Sequence, residues 1–395
     1  MFQDPVVATM IIMALIALGE VVSIATRARV PMLLIALIGY LLLIWAGVMP
    51  ENLIADSTFV TVGAVLGTAP IVVHMGTLIP LKLIKSQWKA IAIALTGIIF
   101  GAGLVLLIVT TVFDYKTAVA GAGPLTGGLI AFLVTSEELK KLGLTSLITI
   151  PVLVLALQSL FGMPLAANLL RRHALKLRQS MDSGEFVAAS LEDAAHGHSD
   201  KAKAETRSWI PKKYQSNLIL LFLLFIGGAI AVVLGKLTGV PYSLWALVIG
   251  ILGRFVGFYQ DRVMERANAF TVGMAGLIFL VIAFMNEITF KMFIGYLPEV
   301  FLIIIIGIIG IVFGGFLGSK LFKWDPLKGI PVALTATFGF PGDYLISEEV
   351  SRSVGRNKEE EETIFNEILS PMLIGGFTTV TTGSVVIATI LLQTL

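Results

Sequence analysis

Apolar residues run along this chain in blocks of about 20, and charged residues are confined to the gaps between blocks. The blocks fall near 6–26, 31–48, 60–80, 90–112 and 146–170, then near 214–235, 241–257, 269–288, 298–319 and 364–393. Runs of about 20 apolar residues are long enough to cross the hydrocarbon core as helices. The pattern predicts an all-α polytopic membrane protein. The first block has no basic stretch before it, so it reads as a span and not as a cleaved signal peptide.

The pattern also repeats. Gly121-Ala-Gly-Pro-Leu-Thr-Gly-Gly128 is followed by a short apolar run and then Ser136-Glu-Glu138. Ile330-Pro-Val-Ala-Leu-Thr-Ala-Thr-Phe-Gly-Phe-Pro-Gly-Asp343 is followed in the same way by Ser347-Glu-Glu349. Val30-Pro31 matches Val240-Pro241, and Thr61-Val-Gly63 matches Thr271-Val-Gly273 at nearly the same offset. Such self-similarity predicts two repeats, 1–170 and 214–395, joined by a linker, 171–213. Each repeat carries five spans with a Gly/Pro-interrupted segment before the last.

Charge decides whether those interrupted segments cross the membrane. If they are re-entrant and the N-terminus is outside, only Lys116, Lys140, Lys141, Lys236 and Lys291 of the 28 basic residues lie outside. Full crossing leaves just 12 of 28 inside. The positive-inside rule favours re-entrance. Five spans per repeat is an odd number, so the second repeat is expected to be inverted relative to the first, a transporter signature. Both termini then lie outside a cell membrane, and the linker is cytoplasmic. The linker begins with a basic helix end, Arg171 to Arg178, and continues through a polar stretch holding His196 and His198.

Composition narrows the chemistry. Mean hydropathy is +0.92 and only 14% of residues are charged. There is no cysteine, which removes disulfides, thiolate metal sites and thiol catalysis. A net charge of +2 gives no reason to expect a nucleic-acid partner.

Backbone interrupted at membrane depth must be buried in protein or line a wet cavity. Helix N-termini there offer donors to an anion, and carbonyls and hydroxyls offer ligands to a hard cation. Candidate substrate contacts are Thr126, Gly127, Gly128, Gln158, Thr335, Thr337, Gly339, Asn366, Ser370 and Thr378. Candidate ion ligands, for sodium only, are Asp343, Thr337, Thr379 and Thr382. Asp343 also reads as a cap for a helix starting at Tyr344, as Asp commonly is. The paired glutamates after Ser136 and Ser347 read as solvated residues at the water boundary. His74, inside the third span, is a candidate for proton coupling or substrate contact.

Two five-span halves, a cytoplasmic linker and a Gly-rich loop before each last span resemble the bacterial sodium:glutamate symporter family. The related 2-hydroxycarboxylate symporters share that plan. The nearest local likeness runs through Phe338-Gly-Phe-Pro-Gly342, Ser347 to Gly355, and Leu369-Ser-Pro-Met-Leu-Ile-Gly-Gly376. Two features differ from the family: the first loop lacks a His, and hydroxyls near Thr378–Thr382 stand where the last span usually has an acidic residue. The resemblance implies sodium-coupled symport of a small anion, a glutamate-like amino acid or another carboxylate, without an organic cofactor. Other readings are a proton-coupled transporter, a channel or a receptor on the same fold, with a homodimer as one assembly. An intramembrane aspartyl protease is a further one, but it needs a second facing carboxylate.

Overall fold

The computed structural model describes residues 4–78, 87–183, 209, 211–240, 242–286 and 289–395. Most of the predicted linker, with His196 and His198, lies outside the described residues, as do Lys82 and Lys85. Helix is the only regular structure among the described residues. In chain order the main helices are α1 (Pro5–Thr26), α2 (Met32–Trp45), α3 (Phe59–Leu66), α4 (Ala69–Leu78), α5 (Trp88–Val112) and α6 (Tyr115–Leu125). They continue with α7 (Gly128–Lys141), α8 (Thr149–Asp182), α9 (Asn217–Thr238), α10 (Tyr242–Val256) and α11 (Phe270–Met285). The last are α12 (Leu297–Leu321), α13 (Pro326–Leu334), α14 (Gly339–Val354), α15 (Lys358–Thr378) and α16 (Ser384–Leu392).

Five of these segments are long and apolar enough to cross a bilayer: Pro5–Thr26, Trp88–Val112, Ser146–Asp182, Asn217–Thr238 and Leu297–Leu321. The α3–α4 pair, bent by 50°, makes a sixth if counted as one span. This is a membrane-embedded helical protein. The expected 60–80 span is therefore broken, at Gly67-Thr68. The helix expected to end near 170 continues to Asp182. The last expected span starts earlier, at Lys358, where the Asn357 side chain caps the Glu360 amide. It is interrupted by a π-turn at Thr379–Gly383.

The chain forms two compact units, and each draws segments from both halves of the sequence. The first holds Met1–Thr9, Asn52–Ser86 and Ser180–Ala283. Its helices meet through glycine. A Cβ at Gly63 would run into the Gly276 carbonyl, and one at Gly67 would crowd the Gly273 carbonyl. As the chain ascends on α3 it descends on α11, so these two helices are antiparallel. Gly76 and Gly250 bring α4 and α10 together in the same way. Without side chains between them, the backbones approach closely enough for dispersion and Cα–H···O contacts, the usual glue of membrane helices. The buried Tyr259 hydroxyl donates to the Leu223 carbonyl at 3.0 Å.

The second unit holds Met10–Glu51, Gln87–Gln179 and Phe284–Leu395. Its spine is the α5–α12 pair. Gly314 lies on Gly97, Gly310 on Gly101 and Gly318 on Ile93, again an antiparallel crossing. The α1–α2 corner is held by a carboxylate from far along the chain. Glu349 of α14 accepts from the Ser23 hydroxyl at 2.7 Å and from the Met32 amide at 3.0 Å. Beside it Arg352 pairs with Glu20 at 2.7 Å. The expectation that these glutamates are solvated is thus wrong for Glu349, which is buried. Its charge is compensated by the first free amide of α2 and a hydroxyl, which replace water. Glu138, in the other copy, is half-buried and pairs with Lys141.

Candidate functional site

Both interrupted segments lie in the second unit, and both begin with the same device. Asp114 caps α6 by accepting from the Thr117 amide at 2.9 Å. Asp325 caps α13 by accepting from the Leu327 amide at 2.9 Å. The two aspartates are related by the offset that relates Ser136 to Ser347, a signal present in the sequence but not used. Asp325 is also gripped by α8, through Lys176 at 3.1 Å and His173 at 3.7 Å.

The first segment ends its leading helix at Thr126 and restarts at Gly128, where φ is +66°. The second runs from α13 through a 3₁₀ turn, Thr335–Thr337, and restarts at Gly339, where φ is +54°. Phe340 then leaves the helical region and the Phe340–Pro341 peptide is cis. Left-handed backbone at these two positions favours glycine.

The two restarts converge on one residue. A Cβ at Gly128 would lie 3.3 Å from Val380 Cβ, and a Cβ at Gly339 would lie 3.0 Å from Val380 Cγ1. Val380 belongs to the π-turn between α15 and α16. Gly127 abuts the Thr379 carbonyl on the same turn and Ser384, the first residue of α16. Single π-turns inside α-helices concentrate at functional sites because they leave backbone groups irregularly paired.

Most of the predicted residues of this unit are buried. Thr126, Thr335, Thr337, Thr379, Gln158, Ser370 and Asp343 are all buried. Gln158 of α8 donates to the Pro124 carbonyl at 3.3 Å, while its own carbonyl oxygen is buried without a donor. Thr337 packs on Gly162 of α8, where any Cβ would collide with its side chain. Thr378 is half-buried on α15. Asn366 is exposed and stays outside the buried group. The side chain of Thr382 lies outside the described residues.

Asp343 is fully buried in the first turn of α14, after Pro341, and does not precede a helix starting at Tyr344. This corrects the expected capping role. One carboxylate oxygen accepts from the adjacent Tyr344 amide at 2.7 Å. The other has no donor and faces Gly376, where a Cβ would come within 2.5 Å of it. A buried carboxylate with an empty oxygen requires a proton or a cation beside it.

The threonines share one habit. The hydroxyls of Thr126, Thr335 and Thr337 donate to the carbonyls of Gly123, Val332 and Leu334 at 2.8, 2.6 and 2.8 Å. Thr379 donates to Gly375 and Gly376. A hydroxyl whose proton is committed to a carbonyl presents only lone pairs to its other neighbours. Such oxygens suit a hard cation. No group of three or more His, Cys, Asp or Glu side chains occurs among the described residues. A cation here would therefore be held by one carboxylate with hydroxyls and carbonyls.

His74 belongs to the first unit. It is buried, accepts from the Met264 amide on Nδ1 at 3.3 Å and packs against the Phe270 ring at a 58° tilt. Its Nε2, which carries the proton of the neutral ring, points at Glu265 Oε1, 3.8 Å away.

Comparison with protein-family models and with curated proteins finds no match to this chain.

Proposed function

We propose that this protein is a secondary active transporter that moves a small carboxylate with sodium by alternating access. In this reading the chain is two inverted five-span repeats with re-entrant interrupted segments, similar to the sodium:glutamate symporters. The observation that carries it is the meeting of two matched helix interruptions on Val380, in the unit that also buries Asp343. Paired broken helices of this kind are where transporters bind substrate and coupling ion. The antiparallel crossing of matched helices supports inversion, because equivalent helices of a parallel repeat run the same way. Asp343 and the proton-committed threonines are assigned to the cation. The amides at the restarts of α7 and α14 are assigned to the anion. No catalytic step is included, since proteolysis by aspartate needs two facing carboxylates.

The test is uptake into liposomes of radiolabelled glutamate and of a C4-dicarboxylate. Uptake is expected only with an inward sodium gradient. Asp343→Asn is expected to abolish the sodium dependence. A proton gradient that replaces sodium fully would reassign the coupling ion. Uptake unaffected by dissipating both gradients would sink the coupling mechanism. The absence of native cysteine allows single reporters at Lys116 and Arg178 to report sidedness by labelling, with no background.

A further inference from the structure

Among the described residues, no ion pair engages Arg27, Arg29 or Arg171 at the α1–α2 corner. Arg27 and Ala28 both take left-handed backbone, with φ of 54° and 56°, so the chain reverses within a few residues. The side-chain amide of Asn168 on α8 donates to the Arg29 carbonyl at 3.1 Å and fixes the corner against that helix. One turn further along α8 stands Arg171. Arg29, Arg27 and Arg178 are close enough for their charges to act on it. Its Nε is buried and has no acceptor.

Among the described residues, the carboxylates of this corner are committed elsewhere. Glu20 pairs with Arg352, Glu349 with Ser23 and the Met32 amide, and Asp325 with Lys176. Arg178 donates to the Val354 carbonyl. Like charges so placed repel unless an anion joins them, and guanidinium forks match phosphate oxygens. The α1 face leading to this corner is apolar and open: Leu18, Val21 and Ile24 are 53, 62 and 58% exposed. A free inorganic anion has no use for that face, whereas acyl chains do.

We propose that Arg27, Arg29 and Arg171 bind the phosphate headgroup of an anionic phospholipid whose acyl chains lie along the exposed face of α1. The site is separate from the Val380 junction and does not depend on what that junction transports.

The experiment uses the full chain in neutral detergent. Native mass spectrometry counts bound phosphatidylglycerol against phosphatidylcholine. Thermal midpoints are followed with phosphatidylglycerol or with inorganic phosphate. Phosphatidylglycerol alone is expected to be retained and to raise the midpoint. Removing each arginine is expected to weaken retention about fivefold, the effect of one basic side chain near an anionic headgroup. R27Q/R29Q alters only exposed side chains, so it tests binding without threatening the fold. R171Q tests the half-buried member, and Lys116→Gln serves as a control without effect. Equal retention by R27Q/R29Q and the unaltered protein would overturn the proposal. So would equal binding of phosphatidylcholine, or an equal midpoint rise with inorganic phosphate, which identifies a free-anion site.

Discussion

Glu349→Ala tests the corner most sharply. The carboxylate satisfies the buried Ser23 hydroxyl and the Met32 amide at once. Alanine leaves both without a partner. An unsatisfied buried polar group costs about 1–3 kcal/mol, so the pair costs about 2–6 kcal/mol. Removing the cost of burying a carboxylate returns part of this, leaving about 2–4 kcal/mol. Glutamine keeps one acceptor for the amide, and the Ser23 hydroxyl can turn to accept from the new NH₂. That variant should lose about 1 kcal/mol. Ser23→Ala should fall in the same range. At roughly 2–4 °C per kcal/mol, the alanine variant should melt about 4–16 °C lower and the glutamine variant about 2–4 °C lower. The assay is tryptophan fluorescence of the detergent-solubilised protein on heating. An alanine variant melting with the glutamine variant, or within about 1 °C of the parent, would refute the role assigned to the carboxylate.

Two further outcomes follow from the site. Gly339→Ala and Gly128→Ala put a Cβ on left-handed backbone and against Val380, costing about 1–2 kcal/mol each from the backbone alone. Both should depress liposome uptake, and Val380→Ala should partly restore it in the Gly339→Ala background; no restoration would mean that Val380 is not the common contact. Partial burial opposes ionisation of Asp325, but the Leu327 amide and Lys176 outweigh it and hold its carboxyl below the ordinary aspartate range. Burial likewise opposes ionisation of Asp114, and the Thr117 amide and hydroxyl outweigh it. Both caps therefore stabilise the fold above the unfolded aspartate pKa, and that contribution is lost as pH falls through the lower folded value. Asp325→Asn/Asp114→Asn should flatten the acid side of the melting-midpoint profile; an unchanged acid limb would discount the caps.

Long, charge-bounded apolar blocks were the legible part of the fold. The spans expected at 6–26, 90–112 and 298–319 end within a few residues of α1, α5 and α12, because charge ends a membrane span sharply. The break in 60–80 was written in Gly67 and Pro70, yet hydropathy averages over such a break. The early start of α15 was readable as Asn357 followed by Glu360, a cap pattern outweighed by the polar character of that stretch. Most candidate site residues do converge in the second unit, since a matched pair of interruptions marks irregular backbone whatever surrounds it. The burial of Glu349 was not readable. Its partners Ser23 and Met32 lie more than 300 positions away, and nothing local separates a clasped carboxylate from a solvated one. Asn366 is exposed where the other candidates are buried, because a polar residue in a helix faces outward as easily as inward.

The glycine seam between α5 and α12 also has a consequence in time. The backbone of α5 at Gly97 and Gly101 is met by Gly314 and Gly310, which leave the ribosome roughly 200 residues later. At about 5–20 residues per second, α5 waits on the order of 10–40 s for its partner. During that interval its notched face meets lipid, which fills such a groove poorly. The first half of the chain is therefore a nascent intermediate whose survival depends on how quickly the second half is made. Slowing translation after residue 112 should expose that half to membrane quality control before α12 arrives.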